Sequence, residues 1–175
     1  MRRFASTDPA GSSWNRWPDH GGMGGRMAWN AQSVQNRRKS RVGSAFEHHI
    51  EEVFLRQGIR YDRTKITENK SKPDFIFPGI AEYREATFPI GRLSMLGVKS
   101  TCKDRWRQVL AEADRIDEKH LLTLEPGIST NQTDEMRVKK LTLVVPASMH
   151  ASYSPAQRPW LLTFGDFIGL VSSRQ

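Results

Sequence analysis

Apolar positions in this chain fall into short solid runs separated by stripes at helical spacing, after a polar opening. Residues 1–27 are rich in Gly, Ser, Pro, Asp and Asn, and Gly21-Gly22-Met23-Gly24-Gly25 is a cluster of breakers, so a disordered tail is expected there. Trp14 and Trp17 interrupt that stretch, and its alternative reading is the remnant of a longer N-terminal region whose tryptophans pack on the domain or a partner. Phe46, Ile50, Val53 and Phe54 predict a helix over 44–57, opened by a Ser44/Glu47 capping box and stopped at Gly58. A strand is predicted over 59–66, followed by a turn at Asn69-Lys70. Asp74-Phe75-Ile76-Phe77 reads as a buried strand closed by Pro78-Gly79, and a further apolar strand covers 93–98. Trp106, Val109, Leu110, Ala113 and Ile116 predict a helix over 101–119. Strands at 121–124 and 141–145 flank a helix over 131–140, and a short element at 161–164 leads into a last helix, 164–171. Strands alternating with helices predict an α/β layered sheet with helices on both sides, without internal repeat.

At 175 residues the chain has room for one domain with a proper core. No apolar run reaches membrane-spanning length and the first residues lack the apolar stretch of a secretory signal, so a cytoplasmic protein is expected. Cys102 is the single cysteine, which excludes an intrachain disulfide and a zinc knuckle. The net charge of +8 favours a polyanionic partner through phosphate contacts and counterion release. Its densest part is Asn36-Arg37-Arg38-Lys39-Ser40-Arg41, either a solvated segment or a phosphate-gripping arm made by Arg37, Arg38, Lys39 and Arg41.

Asp74, Lys99 and Glu112 carry the chemistry. Asp and Glu are hard oxygen donors suited to Mg²⁺, and a lysine can orient water or stabilise charge on a phosphate as its bond breaks. Asp74 opens a buried strand, where an ionised carboxylate is costly unless cations or donors satisfy it; the competing reading is a Pro-Asp turn residue. Lys99 ends the next strand, so the two meet if those strands are neighbours. The position two before the lysine, where a second acid would share the strand face of Lys99, is Gly97, which cannot ligate a metal. Glu112, on the predicted helix after Lys99, is the candidate substitute. Lys103, Asp104, Arg105 and Arg107 open the same helix; Arg and Lys can pair with guanine and Asp with cytosine N4, so Lys103-Asp104-Arg105 can read C·G pairs in a major groove. His48 and His49 are adjacent and do not form a zinc pair. Glu47 on that helix is a candidate to hold a water on the metal. Tyr83 is a candidate nucleophile or phosphate contact, or a hydrogen-bonded loop tyrosine.

These segments together resemble the catalytic domain of EcoRII-type type II restriction endonucleases, within the PD-(D/E)XK nuclease superfamily. The resemblance rests on Arg37-Arg38-Lys39-Ser40-Arg41, Phe46-Glu47-His48-His49, Lys72-Pro73-Asp74-Phe75-Ile76-Phe77-Pro78 and, above all, Val98-Lys99-Ser100-Thr101-Cys102-Lys103-Asp104-Arg105-Trp106-Arg107-Gln108. It continues through Glu112-Ala113-Asp114-Arg115, His120-Leu121 and Val144-Val145-Pro146-Ala147-Ser148, so it spans roughly residues 36–168. It implies a restriction-endonuclease-like α/β/α core with a central mixed β-sheet flanked by helices. It further implies Mg²⁺-dependent cleavage of double-stranded DNA by a homodimer at a near-palindromic, CCWGG-like site, with the central pair flipped from the stack. The family's displaced second acid corresponds to Glu112, and its reader of outer C·G pairs to Lys103-Asp104-Arg105. Residues 1–35 then form a flexible extension before a catalytic domain at 36–175, and the resemblance is stronger to single-domain relatives than to those with an effector domain. Two other duties fit the same residues: a nicking endonuclease of mismatch repair, or a sequence-specific DNA-binding protein without catalysis.

Overall fold

The computed structural model describes residues 22–102 and 105–175. The chain divides into two units, Met1–Arg38 and Lys39–Gln175. The described part of the first belongs to helix α1 (Gly22–Arg56), which contributes residues to both units. The tail expected over 1–27 falls largely outside the described residues, but from Gly22 the chain is helical. This overturns the helix start at Ser44: Ser44 lies mid-helix and caps nothing. No proline follows Pro18 until Pro73, and the intervening Ala, Met, Gln, Arg and Lys are good helix formers, so the helix runs on through the basic segment.

The second unit is built on one mixed sheet of five strands in the order β1-β2-β3-β4-β5. They are β1 (Asp62–Arg63), β2 (Phe75–Phe77), β3 (Ser94–Lys99), β4 (Lys119–Thr123) and β5 (Leu141–Val144). The first three pair antiparallel, whereas β3, β4 and β5 run parallel. The strand expected over 59–66 shrinks to the two residues of β1. Leu162 adds a parallel bridge to Val144, so the short element expected at 161–164 extends the sheet edge.

Side chains alternate between two buried layers. Ile76, Met95, Leu121 and Leu143 pack against Trp106 and Val109 of α3 (Trp106–Leu110) and Met136 of α4 (Thr130–Val138). Phe75, Phe77, Leu96, Val98 and Leu122 face Ile50 and Phe54 of α1 and Phe167 and Val171 of α5 (Phe164–Arg174). Phe54 sits at the centre of the second layer, with Phe75 and Phe77 edge-on at 5.3 and 5.2 Å. Helix α5 starts at Thr163, whose hydroxyl and Asp166 form a reciprocal capping box. One turn of helix, α2 (Ile80–Arg84), follows β2.

Helix α3 is far shorter than the helix expected over 101–119. The amide of Glu112 donates to the Val109 carbonyl (3.2 Å), a tightened last turn, and Ala113 then adopts the left-handed conformation with φ 50°. The stripe residues Ala113 and Ile116 remain buried, but from a turn. No helix among the described residues is long and apolar enough to cross a membrane.

Candidate active site

Asp74 immediately precedes β2 and Lys99 ends β3. Because these strands are antiparallel, with Phe75 opposite Leu96, both residues lie at the same end of the sheet. The alternation of faces puts them on the α3 side. Oδ2 of Asp74 accepts the Val98 amide at 2.6 Å and Lys99 Nζ at 2.7 Å. Both side chains are largely buried, at 13% and 15% exposure for Asp74 and Lys99, so this pair sits where solvent screens it little. Among the described residues, Oδ1 of Asp74 has no hydrogen-bond partner.

Gly97 shows why no acid stands two residues before the lysine. A Cβ there would lie 2.9 Å from Cγ2 and 3.2 Å from Cγ1 of Val109. Helix α3 therefore rests directly on the β3 backbone, and its tight seat leaves no volume for a side chain at position 97. The same seat carries the chain to Glu112, two residues past the end of α3. Glu112 is half-buried, and its Oε2 is fully buried without a hydrogen-bond partner. Burial, with Asp74 adding to it, pushes its carboxyl up to about 7 against the opposing pull of Lys99 and Lys119. Asp74, Lys99 and Glu112 thus share one electrostatic neighbourhood, although Glu112 belongs to a turn and not to a helix.

The sequence family described as EcoRII C terminal matches residues 26–168. This chain belongs to that family. It is 51% identical over 139 residues to the type II restriction enzyme EcoRII of Escherichia coli, covering 79% of this chain and 34% of that protein. It is 26% identical over 148 residues to the type II restriction enzyme SsoII of Shigella sonnei, covering 79% and 47% respectively. The chain thus spans between a third and a half of the length of these relatives. Among solved structures, metal-depleted Ecl18kI in complex with uncleaved, modified DNA superposes with a TM-score of 0.72 at 24% identity, covering 82% of this chain and 49% of that one. Metal-depleted Ecl18kI with uncleaved DNA gives 0.70 at 25% identity over the same shares. The EcoRII-type resemblance and the restriction-endonuclease-like α/β fold expected from the sequence both hold.

The remaining candidates in this EcoRII-C domain separate. Lys103 and Asp104 lie outside the described residues. Arg105 is exposed just ahead of α3, its amide bonded to the Cys102 carbonyl at 2.7 Å. Arg107 is engaged within the protein: it donates to Glu135 of α4 at 2.8 Å and stacks on Trp106 at 4.8 Å. Arg37, Arg38, Lys39 and Arg41 are exposed positions of α1, a charged helix surface instead of an extended arm. Glu47 accepts from Arg63 of β1 at 3.0 Å, which ties helix α1 to that strand. Arg63 also grips Glu51, whose carboxylate accepts from the Tyr61 hydroxyl.

Tyr83 is 3% exposed, and its hydroxyl donates to Glu68 and accepts from the Arg115 amide at 3.2 Å. Burial first, and then the Glu68 carboxylate, push its hydroxyl far above the ordinary value. A nucleophile calls for the opposite shift, whereas these surroundings are those of a hydrogen-bonded tyrosine. Glu68 and Ser71 carry no mark in the sequence, and Arg115 only its place in the family-like Glu112–Arg115 segment. Each acts through contacts with residues remote in the chain, and no local pattern announces that.

Proposed function

We propose that the domain is the catalytic part of a Mg²⁺-dependent type II restriction endonuclease that hydrolyses phosphodiester bonds in double-stranded DNA at a short G·C-flanked, CCWGG-like site. The observation that carries this reading is the Asp74–Lys99 pair beside a buried Glu112 oxygen that lacks any partner. A buried carboxylate without a donor is a deficit of positive charge, and a divalent cation held by Asp74 and Glu112 would correct it. Among the described residues no three His, Cys, Asp or Glu side chains converge on a metal position. Two carboxylates suit Mg²⁺, which keeps several waters and takes substrate phosphate oxygens as further ligands. When bound, Mg²⁺ supplies positive charge against the developing charge of the scissile phosphate.

The residues divide the remaining work. Val98 and Lys99 fix the Asp74 carboxylate through one oxygen, which keeps it from having to reorganise. Lys99 Nζ keeps donors to spare for a phosphate oxygen or the attacking water. Glu112 would supply the second carboxylate ligand of the cation. Lys103, Asp104 and Arg105 read the outer C·G pairs, while Arg37, Arg38, Lys39 and Arg41 contact backbone phosphates. A homodimer supplies one such site per strand, and the cytoplasm is where it meets DNA. The polyanionic backbone of DNA and the net charge of +8 make binding strongly salt-dependent.

The test is digestion of plasmid DNA with Mg²⁺, followed by sequencing of fragment ends. The parent is expected to cut both strands at one short sequence, and Lys99→Ala to bind that sequence without cutting it. Full cleavage by Lys99→Ala at saturating Mg²⁺ removes Lys99 from the mechanism. Nicks confined to mismatched duplex point to repair, and selective retention without cleavage under any divalent metal points to a binding module.

A further inference from the structure

We propose that Glu68 is a positioning residue for Glu112: with Ser71, it clamps the 111–115 turn that delivers the second carboxylate, a role that rests on Glu112 serving the metal. The Glu68 carboxylate accepts the Tyr83 hydroxyl and the Asp114 amide. Tyr83 passes the grip on, since its hydroxyl accepts the Arg115 amide at 3.2 Å. On the other side of Glu112, the Ser71 hydroxyl donates to the Ala111 carbonyl at 3.0 Å. Glu68 and Ser71 are themselves tied, the Ser71 amide donating to the Glu68 carbonyl at 3.1 Å and the Thr67 amide to the Ser71 carbonyl at 2.9 Å. One short 3₁₀ turn (Glu68–Lys70) therefore holds the Glu112 turn at Ala111, Asp114 and Arg115.

Such a clamp answers three features of the turn. Ala113 is left-handed, a conformation an alanine keeps only where its surroundings over-determine it. The buried Glu112 oxygen has no hydrogen bond of its own, so its backbone must place it. The amides of Asp114 and Arg115 would extend α3 if they were free; given to Glu68 and Tyr83, they end it. Arg115 fixes the outer edge, its guanidinium donating to the carbonyls of Tyr83, Glu85 (2.7 Å) and Phe88 (2.6 Å). The segment carrying Glu68 and Ser71 also leads directly into Asp74, so a single loop sets the separation of the two acids.

The test compares Glu68→Ala, Glu68→Gln and Ser71→Ala in the full chain. It follows amide hydrogen exchange, Mn²⁺ binding to the free protein by electron paramagnetic resonance, and the Mg²⁺ concentration for half-maximal cleavage. Glu68→Ala is expected to speed exchange at Asp114 and Arg115 and to weaken Mn²⁺ binding about tenfold, the size typical for groups that orient a metal ligand. Exchange at Leu121 and Leu122 of β4 stays parental, and Glu68→Gln, which keeps an acceptor for the Asp114 amide, recovers part of both losses. Parental exchange and parental Mn²⁺ affinity in Glu68→Ala overturn the proposal. If that variant loses protection across the whole sheet, Ser71→Ala decides, and parental Mn²⁺ affinity there overturns it equally. Glu112→Gln separates the two claims: parental Mn²⁺ affinity in that variant sinks the metal role of Glu112, whereas the clamp is still judged by exchange at Asp114.

Discussion

Replacing Glu112 by Gln should stabilise the metal-free domain at alkaline pH while weakening its response to metal. An unfolded chain ionises Glu112 near the ordinary carboxylate value of 4.5, whereas the folded protein holds it up to about 7, chiefly through burial. Between those values the native state binds more protons than the unfolded state, so this group's stabilising contribution is full below about 4.5 and is lost as the pH rises through about 7. The shift corresponds to about 3 kcal/mol at face value, and solvent screening of a half-buried group reduces that to roughly 1–2 kcal/mol. Glutamine keeps the shape and never ionises. In urea unfolding with chelator present, the variant should match the parent near pH 4 and exceed it at pH 8 by about 0.5–1 M in midpoint, given slopes of about 2 kcal/mol per molar. Adding Mg²⁺ at pH 8 should raise the parent's midpoint more than the variant's, since the variant keeps only one of the two carboxylates, Asp74. Equal midpoints at pH 8, or a less stable variant there, would refute the claim that an uncompensated buried charge sits at position 112.

Other outcomes follow from the same geometry. Gly97→Ala drives a methyl into Val109 and should cost about 1–3 kcal/mol in thermal or urea unfolding, with Val109→Ala as a second change restoring part of it; an unperturbed single variant would show that α3 is not seated on β3. Lys99→Ala should drop cleavage to background while gel-shift affinity for the cognate duplex persists, and the same variant without specific binding would make Lys99 structural. His120 is buried and its ring is held down to about 4 by desolvation and Arg174, so its contribution is present above about 6.5 and lost as pH falls through about 4. Replacing it with Phe should flatten acid unfolding in that window, by up to about 3 kcal/mol; an unchanged acid limb would contradict the burial.

The strands were legible because they are buried on both faces. Phe75-Ile76-Phe77, Ser94–Lys99 and Leu141–Val144 are nearly solid apolar runs bounded by Pro, Gly or charge, and no helix pattern competes with them. The meeting of Asp74 with Lys99 followed once those runs were neighbours. Helix α1 was misjudged in length because a glycine cluster outweighed the good helix formers after it. The 101–119 segment was misjudged for a deeper reason: its apolar stripe is genuine and every stripe residue is buried or partly buried, yet Glu68 and Tyr83 take the amides that a longer helix needs. Arg107 shows the same limit, since its engagement with Glu135 spans 28 positions.

Residue order alone thus singled out the acids and the lysine proposed for the chemistry, and settled which apolar runs build the sheet, for these are properties of side-chain type and short-range spacing. The fold alone decided that position 97 is sealed by Val109, that the second acid rides on a turn, and that its carboxyl sits in a poorly solvated niche beside Asp74, Lys99 and Lys119. Those facts depend on excluded volume and on the local dielectric, and both arise only when segments far apart in the chain are packed against one another.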